Sequence, residues 1–537
     1  MRSRSSVRGG GWRMGRLTPL ALASAAVWIS AGCAVFPQGA YWPEPHTLAA
    51  RLHRAEAGAA AAPSPAGFAA PPRADLVAAV TRRWADDGLA DSARRMNGWA
   101  GRSAYADAVR IVAWCYVEKV SYRDLVVAGL ESLRAALESP QFRRRFEAAR
   151  DDQRRARFAE ALDILTLKAR AADLWFAFQA GDWLAVAMEK NRALLGLPDG
   201  AVVAEFLFGA MDRLDPYTRF LTADMLRDYE EQEAGRYTGI GVALEVRDGR
   251  VFVARAMEGG PAAEAGLAAG DEIVAVDGES ATALGPAEVV RRLRGESGSA
   301  VTLSVLSPGA EEPRSIVLLR RRIVLPAVRD VQVLDPERGV GYLALTDFRG
   351  GSAGDLRRAI GGLQKQGIRA LILDLRDNPG GLLLAAVETC GVFLDGGEVG
   401  NTRGRMLGAT WTYSVPWPDR PAWRGPLAVL VNGGTASAAE VVASALARRG
   451  RATLVGETTF GKGAVQIRLP VDWGRCAVSV TIARVYDVEG EGLNGLGVSP
   501  AVEVPGRGGE AASLRDDAVV RAALEALEAL APEADGP

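Results

Sequence analysis

The segment GGTASAAEVV, residues 433–442, places Ser437 between two apolar runs of different character. The run before it, LAVLV at 427–431, is typical of a buried strand, and AAEVVASALA at 438–447 is typical of a helix. A serine at such a junction is suited to two roles, because it can cap the helix N-terminus or act as a nucleophile. A nucleophilic serine needs a base that removes its hydroxyl proton.

Histidine, the most frequent base, is scarce in this chain. His46 and His53 are its two histidines, and both precede an Ala/Pro-rich stretch at 58–72, where a fixed geometry against Ser437 is not expected. A Ser-His-Asp triad is therefore disfavoured. Lysine, aspartate, glutamate, tyrosine and cysteine remain as candidate bases.

The segment TTFGKGAVQIRL, residues 458–469, offers Lys462 as that base. Its flanking glycines permit sharp bends that direct the amine into a crowded site. Burial against apolar surroundings lowers the pKa of a lysine toward neutrality, so that its amine accepts a proton. Gln466, four residues on, is expected to return to the same face and orient the amine by a hydrogen bond. The alternative is an exposed loop lysine.

The elements around these segments alternate between strand and helix. From 339–348 to 452–457 the pattern predicts four strands separated by three helices. This order predicts an α/β core, in which chemistry collects where strands end and helices begin. Asp374 and Arg376 follow one such strand and are interpreted as residues that anchor a loop.

A β-rich unit precedes the core. TGIGVALEVRDGRVFVARAM at 238–257 contains two strand-like runs joined by Asp248-Gly249, a hairpin signal. The run GPAAEAGLAAGDEIVAVDG follows at 260–278, and the unit resembles a PDZ domain. Gly239, Ile240, Gly241 and Val242 match the carboxylate-binding loop, which in PDZ domains holds the C-terminus of a peptide added to a strand edge. The alternative is a small β domain without a ligand.

The N-terminal part combines an export signal, a linker and helices. Arginines precede the apolar run LTPLALASAAVWIS at 17–30, and AGC follows, which resembles a lipobox with Cys33 as the lipidated residue. The family pattern prefers leucine where Ser30 stands, so ordinary cleavage, for example after Ala34, and an uncleaved anchor are the alternatives. An exported, periplasmic location with membrane attachment only through the lipid is therefore expected.

Composition restricts the partners. The chain has 64 Lys and Arg against 65 Asp and Glu, a formal net charge of −1, which gives no reason to expect nucleic acid. Cys115, Cys390 and Cys476 have no pairing pattern or zinc-like spacing, and they are interpreted as buried apolar residues. No metal and no cofactor are expected.

Four signatures in order over residues 200–505 resemble the carboxyl-terminal processing, or tail-specific, serine proteases. They are LDPYTRFL like LDPHSxYL, the PDZ segment, DLRDNPGG at 374–381, and the pair NGGTASAAEVVASAL and GETTFGKGAVQ. The resemblance implies a multidomain α+β fold with a helical N-terminal region, a small PDZ β domain and an α/β protease core of the ClpP/crotonase-like type. It also implies protein or peptide substrates with exposed C-termini, and an envelope adaptor protein is a further candidate partner.

The resemblance assigns roles to residues. It makes Ser437 the nucleophile, Lys462 the base and Gln466 the family glutamine, and it assigns the oxyanion hole to the N–H groups of Ala438 and of the pair Gly380-Gly381. The chain departs from the family pattern at Ala439, where the family has a second serine, and at Tyr217 and Thr218, which replace histidine and serine. Glu440 is interpreted as a first-turn acid favoured by the helix dipole.

The predicted domains are a signal peptide (1–33), a linker (34–73), a helical region (74–235), the PDZ domain (236–321), the protease core (322–505) and a C-terminal helix or tail (506–537). The linkers at 233–237 and 320–326 are candidate hinges. The acidic amphipathic segment 509–530 predicts a helix that packs on the core or mediates oligomers. A catalytically silent PDZ adaptor, a Ser-His hydrolase and a lipid- or retinoid-binding relative are the alternative functions.

Overall fold

The computed structural model describes residues 71–85, 87–96, 98–416, 420–471, 476–505 and 513–529. The predicted signal sequence with Cys33 and nearly all of the predicted linker lie outside these residues. Within the described ranges, none of the helices combines the length and the apolar character needed to cross a bilayer.

The first part of the described chain is helical, because apolar residues recur at three- and four-residue steps. Its helices are α1 (Arg73–Arg83), α2 (Asp87–Arg95), α3 (Gly98–Cys115), α4 (Tyr122–Ala136), α5 (Pro140–Arg145), α6 (Asp152–Ala171), α7 (Ala177–Leu194) and α8 (Asp199–Asp212), with a 3-10 turn at Glu147–Arg150. Helix α8 is buried along most of its length and packs against α3 and α4.

The LDPYTRFLT segment differs from its expectation as a turn between helices. It contains a short strand, β1 (Arg219–Leu221), before helix α9 (Ala223–Glu233). Strand β1 pairs antiparallel with β18 (Cys476–Tyr486), far along the chain. Three residues are too few to show a strand period, and the partner strand is distant in sequence, so local pattern does not reveal this strand.

The PDZ-like unit is a small sheet with its own core. Its elements are β2 (Arg236–Gly239), β3 (Val242–Arg247), β4 (Arg250–Ala256), α10 (Pro261–Glu264), β5 (Glu272–Val276), β6 (Glu279–Ser280), α11 (Ala281–Leu284), α12 (Pro286–Leu293), β7 (Ala300–Leu306), β8 (Arg314–Leu319) and β9 (Arg321–Val324). The sheet order is β3-β4-β5-β7-β8, and β2 pairs separately with β9. Strand β3 is therefore an edge strand, as peptide addition requires.

The core contains two sheets. Its elements are β10 (Val328–Asp335), β11 (Val340–Leu345), α13 (Ser352–Lys365), β12 (Ala370–Asp374), α14 (Leu383–Cys390), β13 (Gly397–Arg403), β14 (Trp411–Val415), β15 (Leu427–Val431), α15 (Ala438–Arg448), β16 (Thr453–Gly456), β17 (Ala464–Val471), β18, β19 (Val502–Glu503) and α16 (Ala518–Ala529). One sheet has the order β10-β11-β12-β15-β16-β19 and is parallel except for β10. The other joins β1, β18, β13, β14 and β17.

The helical part and the α/β core are packed together. Phe206 of α8 and Phe220 of β1 belong to the same hydrophobic cluster as Leu373, Val429 and Val480 of the core. The PDZ-like unit has a separate cluster that runs from Ile240 to Leu318. The protein is thus a multidomain α+β molecule in which the helices contribute directly to the core that supports the sheets.

The C-terminal helix α16 lies on the parallel sheet. Val519, Val520, Ala523 and Leu527 are buried in one cluster with residues of β11, β12, β15 and β16. Of the two roles left open for this segment, packing on the core is the one that the structure shows. The described cysteines, Cys115, Cys390 and Cys476, are free and buried, as expected.

Candidate active site

Ser437 has an unusual backbone conformation. Its φ is +56° and its ψ is −116°, and its side chain is buried, with 5% of the residue exposed. It is one of five described non-glycine residues with a positive φ. Such a conformation costs free energy, and buried examples cluster at functional sites. The serine stands at the sharp turn between β15 and α15, where the helix N-terminus faces it.

Glu440 connects the serine segment to the lysine segment. Its Oε2 accepts hydrogen bonds from the backbone N–H groups of Ser437 at 2.7 Å and Lys462 at 2.8 Å. Its Oε1 accepts from Thr459 Oγ1 at 2.6 Å and from Gly461 N at 2.7 Å. Burial raises the pKa of Glu440, and these four hydrogen bonds oppose that shift. The interpretation as a first-turn acid is therefore incomplete, because the carboxylate joins two segments.

Lys462 is buried, and only 2% of the residue is exposed. The alternative of an exposed loop lysine is therefore wrong. The lysine lies just before β17, between Gly461, with φ +87°, and Gly463, where a Cβ would lie 2.3 Å from Asn494 N. Its Nζ lies 4.8 Å from the centroid of the Tyr217 ring. The two glycines thus allow the close passage that the sequence predicts.

Gln466 belongs to a hydrogen-bonded group at the start of β17. Its Nε2 donates to Thr481 Oγ1 at 3.1 Å, and the Thr481 N–H donates to Thr218 Oγ1 at 3.1 Å. The pairing of β17 with β18 is irregular between Val465 and Gln466. The glutamine therefore connects the lysine strand to the LDPYT turn through Thr481.

The LDPYT turn is held rigidly beside the site. Asp215 Oδ1 accepts from the N–H groups of Tyr217 at 2.8 Å and Thr218 at 2.6 Å. This pattern is an Asx turn that presents the next side chains in fixed directions. Together with the β1–β18 pairing, it brings Tyr217 against the amine of Lys462.

The glycine pair lies directly against the serine turn. A Cβ on Gly380, whose φ is +103°, would lie 2.9 Å from both Ala438 N and Ser437 Cβ. The Gly380 N–H, however, already donates to Asn378 Oδ1 at 2.9 Å. Its assignment as an oxyanion donor therefore does not fit this arrangement, because the side chain of Asn378 takes its one hydrogen. The N–H groups of Gly381 and Ala438, in contrast, donate no hydrogen bond to another described residue.

The first residues of the DLRDNPGG segment form ionic and hydrogen-bonded contacts at the end of β12. Arg376 Nε donates to both oxygens of Asp374 at 3.0 and 3.1 Å, and Tyr342 Oη donates to Asp374 Oδ2 at 2.7 Å. Arg376 Nη1 also pairs with Asp517 at 2.6 Å. Asp374 and Arg376 thus anchor the loop, as expected. Through Asp517, Arg376 also contacts the segment before α16.

The predicted carboxylate-binding loop joins β2 to β3. Gly239 ends β2 beside the last residue of α12, and Gly241 has φ +78°. The carbonyls of Ile240 and Gly241 accept from Ala262 N and Met257 N, both at 2.9 Å. Val242 begins the edge strand β3. The loop is thus fixed through its carbonyl groups beside β3, the edge strand of the described sheet.

Sequence reasoning missed the contacts that three residues make in the site. Glu440 had a signal, because a glutamate three residues after a helix-capping serine is typical of a capping box. Tyr217 belonged to a recognised motif, but the motif did not indicate that its ring contacts Lys462. Thr481 had no signal within its own strand.

One group of carboxylates within the described residues has a spacing suitable for a cation. Asp487, Glu489 and Glu491 converge, and Arg448 pairs with all three. The guanidinium therefore already supplies the positive charge that these groups attract.

Both the PDZ-like unit and the α/β core are similar to known protein families. Residues 339–504 match the family model of peptidase family S41, and residues 252–307 match a PDZ domain model. A carboxyl-terminal-processing protease of Picosynechococcus sp. is 38% identical over 295 residues, which cover 54% of this chain and 70% of that protein. A carboxy-terminal-processing protease of Bartonella bacilliformis is 33% identical over 310 residues, covering 57% and 70%.

A solved structure of a photosystem II D1 C-terminal processing protease also aligns, with 29% identity, a TM-score of 0.39 and coverage of 76% of this chain and 93% of that one. The relatives are matched at more than 30% identity over more than two thirds of their length, and the PDZ and peptidase segments occur in one chain. The protein therefore belongs to peptidase family S41 and is a member of the carboxyl-terminal processing proteases.

Proposed function

We propose that this peptidase is a serine endopeptidase that uses Ser437 as nucleophile and Lys462 as base. The observation that carries the proposal is the shared carboxylate of Glu440, which binds the backbone N–H groups of both residues. It fixes a strained serine and a buried lysine relative to one another. A nearly buried amine loses its hydration, which favours the neutral form that a base requires.

The proposed reaction has two stages. Neutral Lys462 takes the hydroxyl proton as Ser437 Oγ attacks the scissile carbonyl carbon, and the resulting ammonium then protonates the departing amine. The acyl-enzyme is hydrolysed by water, which gives its proton to Lys462 as it attacks, and the ammonium returns that proton to Ser437 Oγ as the acyl group leaves. Gln466, held by Thr481, is proposed to orient the lysine side chain.

The oxyanion is proposed to bind the N–H groups of Ala438 and Gly381. Ala438 is the first residue of α15, and early helical N–H groups lack intrahelical partners. Gly381 adjoins the glycine packed against Ser437, and it replaces Gly380 as donor because the Gly380 N–H is bound by Asn378. Each such donor contributes about 3 kcal/mol to lowering the barrier.

Substrate recognition is proposed to use the PDZ-like unit. A substrate C-terminus would add to the edge strand β3, with its carboxylate at the loop of Gly239, Ile240, Gly241 and Val242. The basic and apolar N-terminal segment supports export, with Cys33 as a lipid anchor and a periplasmic location. An envelope adaptor protein remains a proposed partner.

The test is cleavage of an unstructured protein with an apolar C-terminal tail by a chain that lacks residues 1–33. Replacing Ser437 or Lys462 by alanine is expected to lower kcat/KM by about three orders of magnitude or more. Equal cleavage by the parent and the Ser437→Ala variant would contradict the proposal. Tail binding without any cleavage would instead support the silent adaptor.

A further inference from the structure

The ring of Tyr217 lies against the amine of Lys462 and extends from a turn whose backbone is hydrogen-bonded on both sides. Its own N–H binds Asp215, the next residue binds β18 through Thr481, and β1 then pairs with β18. These contacts fix the backbone from which the ring extends, and Lys462 Nζ lies 4.8 Å from the ring centroid.

An ammonium over an aromatic ring is attracted by the negative face of the ring, whereas a neutral amine gains little. The attraction grows when the cation is removed from water, as it is at Lys462. The contact thus stabilises one of the two protonation states of the lysine. In the proposed mechanism, this is the state formed when Ser437 gives up its proton.

We propose that Tyr217 is a positioning residue that stabilises the protonated form of Lys462 through its ring face, an inference that rests on the proposed Ser-Lys mechanism. The ring, and not the hydroxyl, carries this role. Burial raises the pKa of Tyr217 to about 12, with Asp215 and Glu440 adding to the shift, so the side chain is an uncharged phenol near neutral pH.

Other charged groups face the same pair. Glu440 approaches from α15 and Asp215 from the turn, and both raise the pKa of Tyr217. Arg484 of β18 and Arg219 of β1 act on Tyr217 in the opposite sense. These groups stay in place when only Tyr217 is replaced, so a matched pair of variants isolates the ring.

The test compares Tyr217→Phe, which keeps the ring, with Tyr217→Leu, which removes it. The pH profile of kcat/KM is measured for both variants and the parent chain. Tyr217→Phe is expected to keep the acid limb of the parent. Tyr217→Leu is expected to shift the acid limb to lower pH by about one unit, because loss of the ring lowers the pKa of Lys462. Its plateau falls as well, since a weaker base drives proton transfer less.

A second measurement does not depend on catalysis. Trace acetylation of Lys462 is followed against pH by mass spectrometry in the Ser437→Ala background, with thermal unfolding as the check that each variant folds. The inference requires the same downward shift for Tyr217→Leu and none for Tyr217→Phe. An unmoved profile in the folded Leu variant, or an equal shift in both variants, overturns it. Absence of cleavage by the parent chain would reject the proposed function separately.

Discussion

At the scale of single residues, the site is organised around a buried carboxylate. Glu440 lies within the first turn of α15, where a negative charge is favoured, but its four donors come from Ser437, Thr459, Gly461 and Lys462. These residues belong to two segments that meet only in the folded chain. Glu440 therefore fixes the separation of the proposed nucleophile and base.

Replacing Glu440 by glutamine is expected to lower kcat/KM about 100-fold and to lower the thermal midpoint. The new amide NH₂ cannot accept hydrogen bonds, so two of the four donors lose their acceptor, at about 1–3 kcal/mol for each buried group left unpaired. Glu388→Gln on α14 removes the same charge at an exposed position. This control is expected to match the parent, and a Glu440→Gln enzyme with parent activity would refute the positioning role.

At the scale of elements, Lys462 depends on close packing between two loops. The turn at Gly461 and Gly463 runs against residues 493–497, with Gly495 N donating to Gly461 O at 2.7 Å. A side chain on Gly463 would meet the backbone of Leu493 and Asn494. Because backbone cannot move aside as a flexible side chain does, this loop has little freedom to shift the lysine.

Gly463→Ala is expected to displace Lys462 and to reduce kcat/KM about 100-fold, since an error of about 1 Å in a catalytic group has that effect. Gly354→Ala in α13 is the matched control, because a Cβ there meets no atom within 4 Å. That control should keep full activity and gain about 0.5–1 kcal/mol in the free energy of unfolding. Full activity in Gly463→Ala would show that the loop adapts.

At the scale of the whole molecule, long-range contacts join the parts around the site. Arg349 Nη1 donates to the carbonyls of Gly235 at 3.0 Å and Leu325 at 2.6 Å, so it holds both connections to the PDZ-like unit. The adjacent Phe348 N–H donates to Gly380 O at 2.9 Å. The two predicted hinges and the glycine pair beside Ser437 thus contact adjacent residues, Arg349 and Phe348, and the role of these linkers as hinges stays a prediction.

The C-terminal segment is expected to loosen in acid. Burial alone would raise the pKa of Asp517, but Arg376 and the N–H groups of Val519 and Val520 hold it below its ordinary value. A lowered pKa in the folded state stabilises the fold above the unfolded value of about 4, and this contribution disappears as the pH falls through the folded pKa. The partner is Arg376, which stays charged throughout.

Asp517→Asn should therefore lower the thermal midpoint at neutral pH, with a difference from the parent that shrinks on acidification below about pH 4. Amide hydrogen exchange in α16 should rise in the variant. Asp516→Asn, at the exposed neighbouring position, is the control. A difference between parent and Asp517→Asn that is constant with pH would contradict the ionic contribution.

The sequence by itself determined the alternation of strands and helices, the family, and the two residues proposed for catalysis. Local periodicity predicted the strands and helices. Short motifs, with the chemistry of Ser437 and Lys462, indicated the family and the two residues. Only the tertiary structure decided that Glu440 joins both segments, that Asn378 occupies the Gly380 N–H, and that Tyr217 contacts Lys462. The physical reason is that these contacts connect segments far apart in the chain, whereas periodicity and propensity report only on near neighbours.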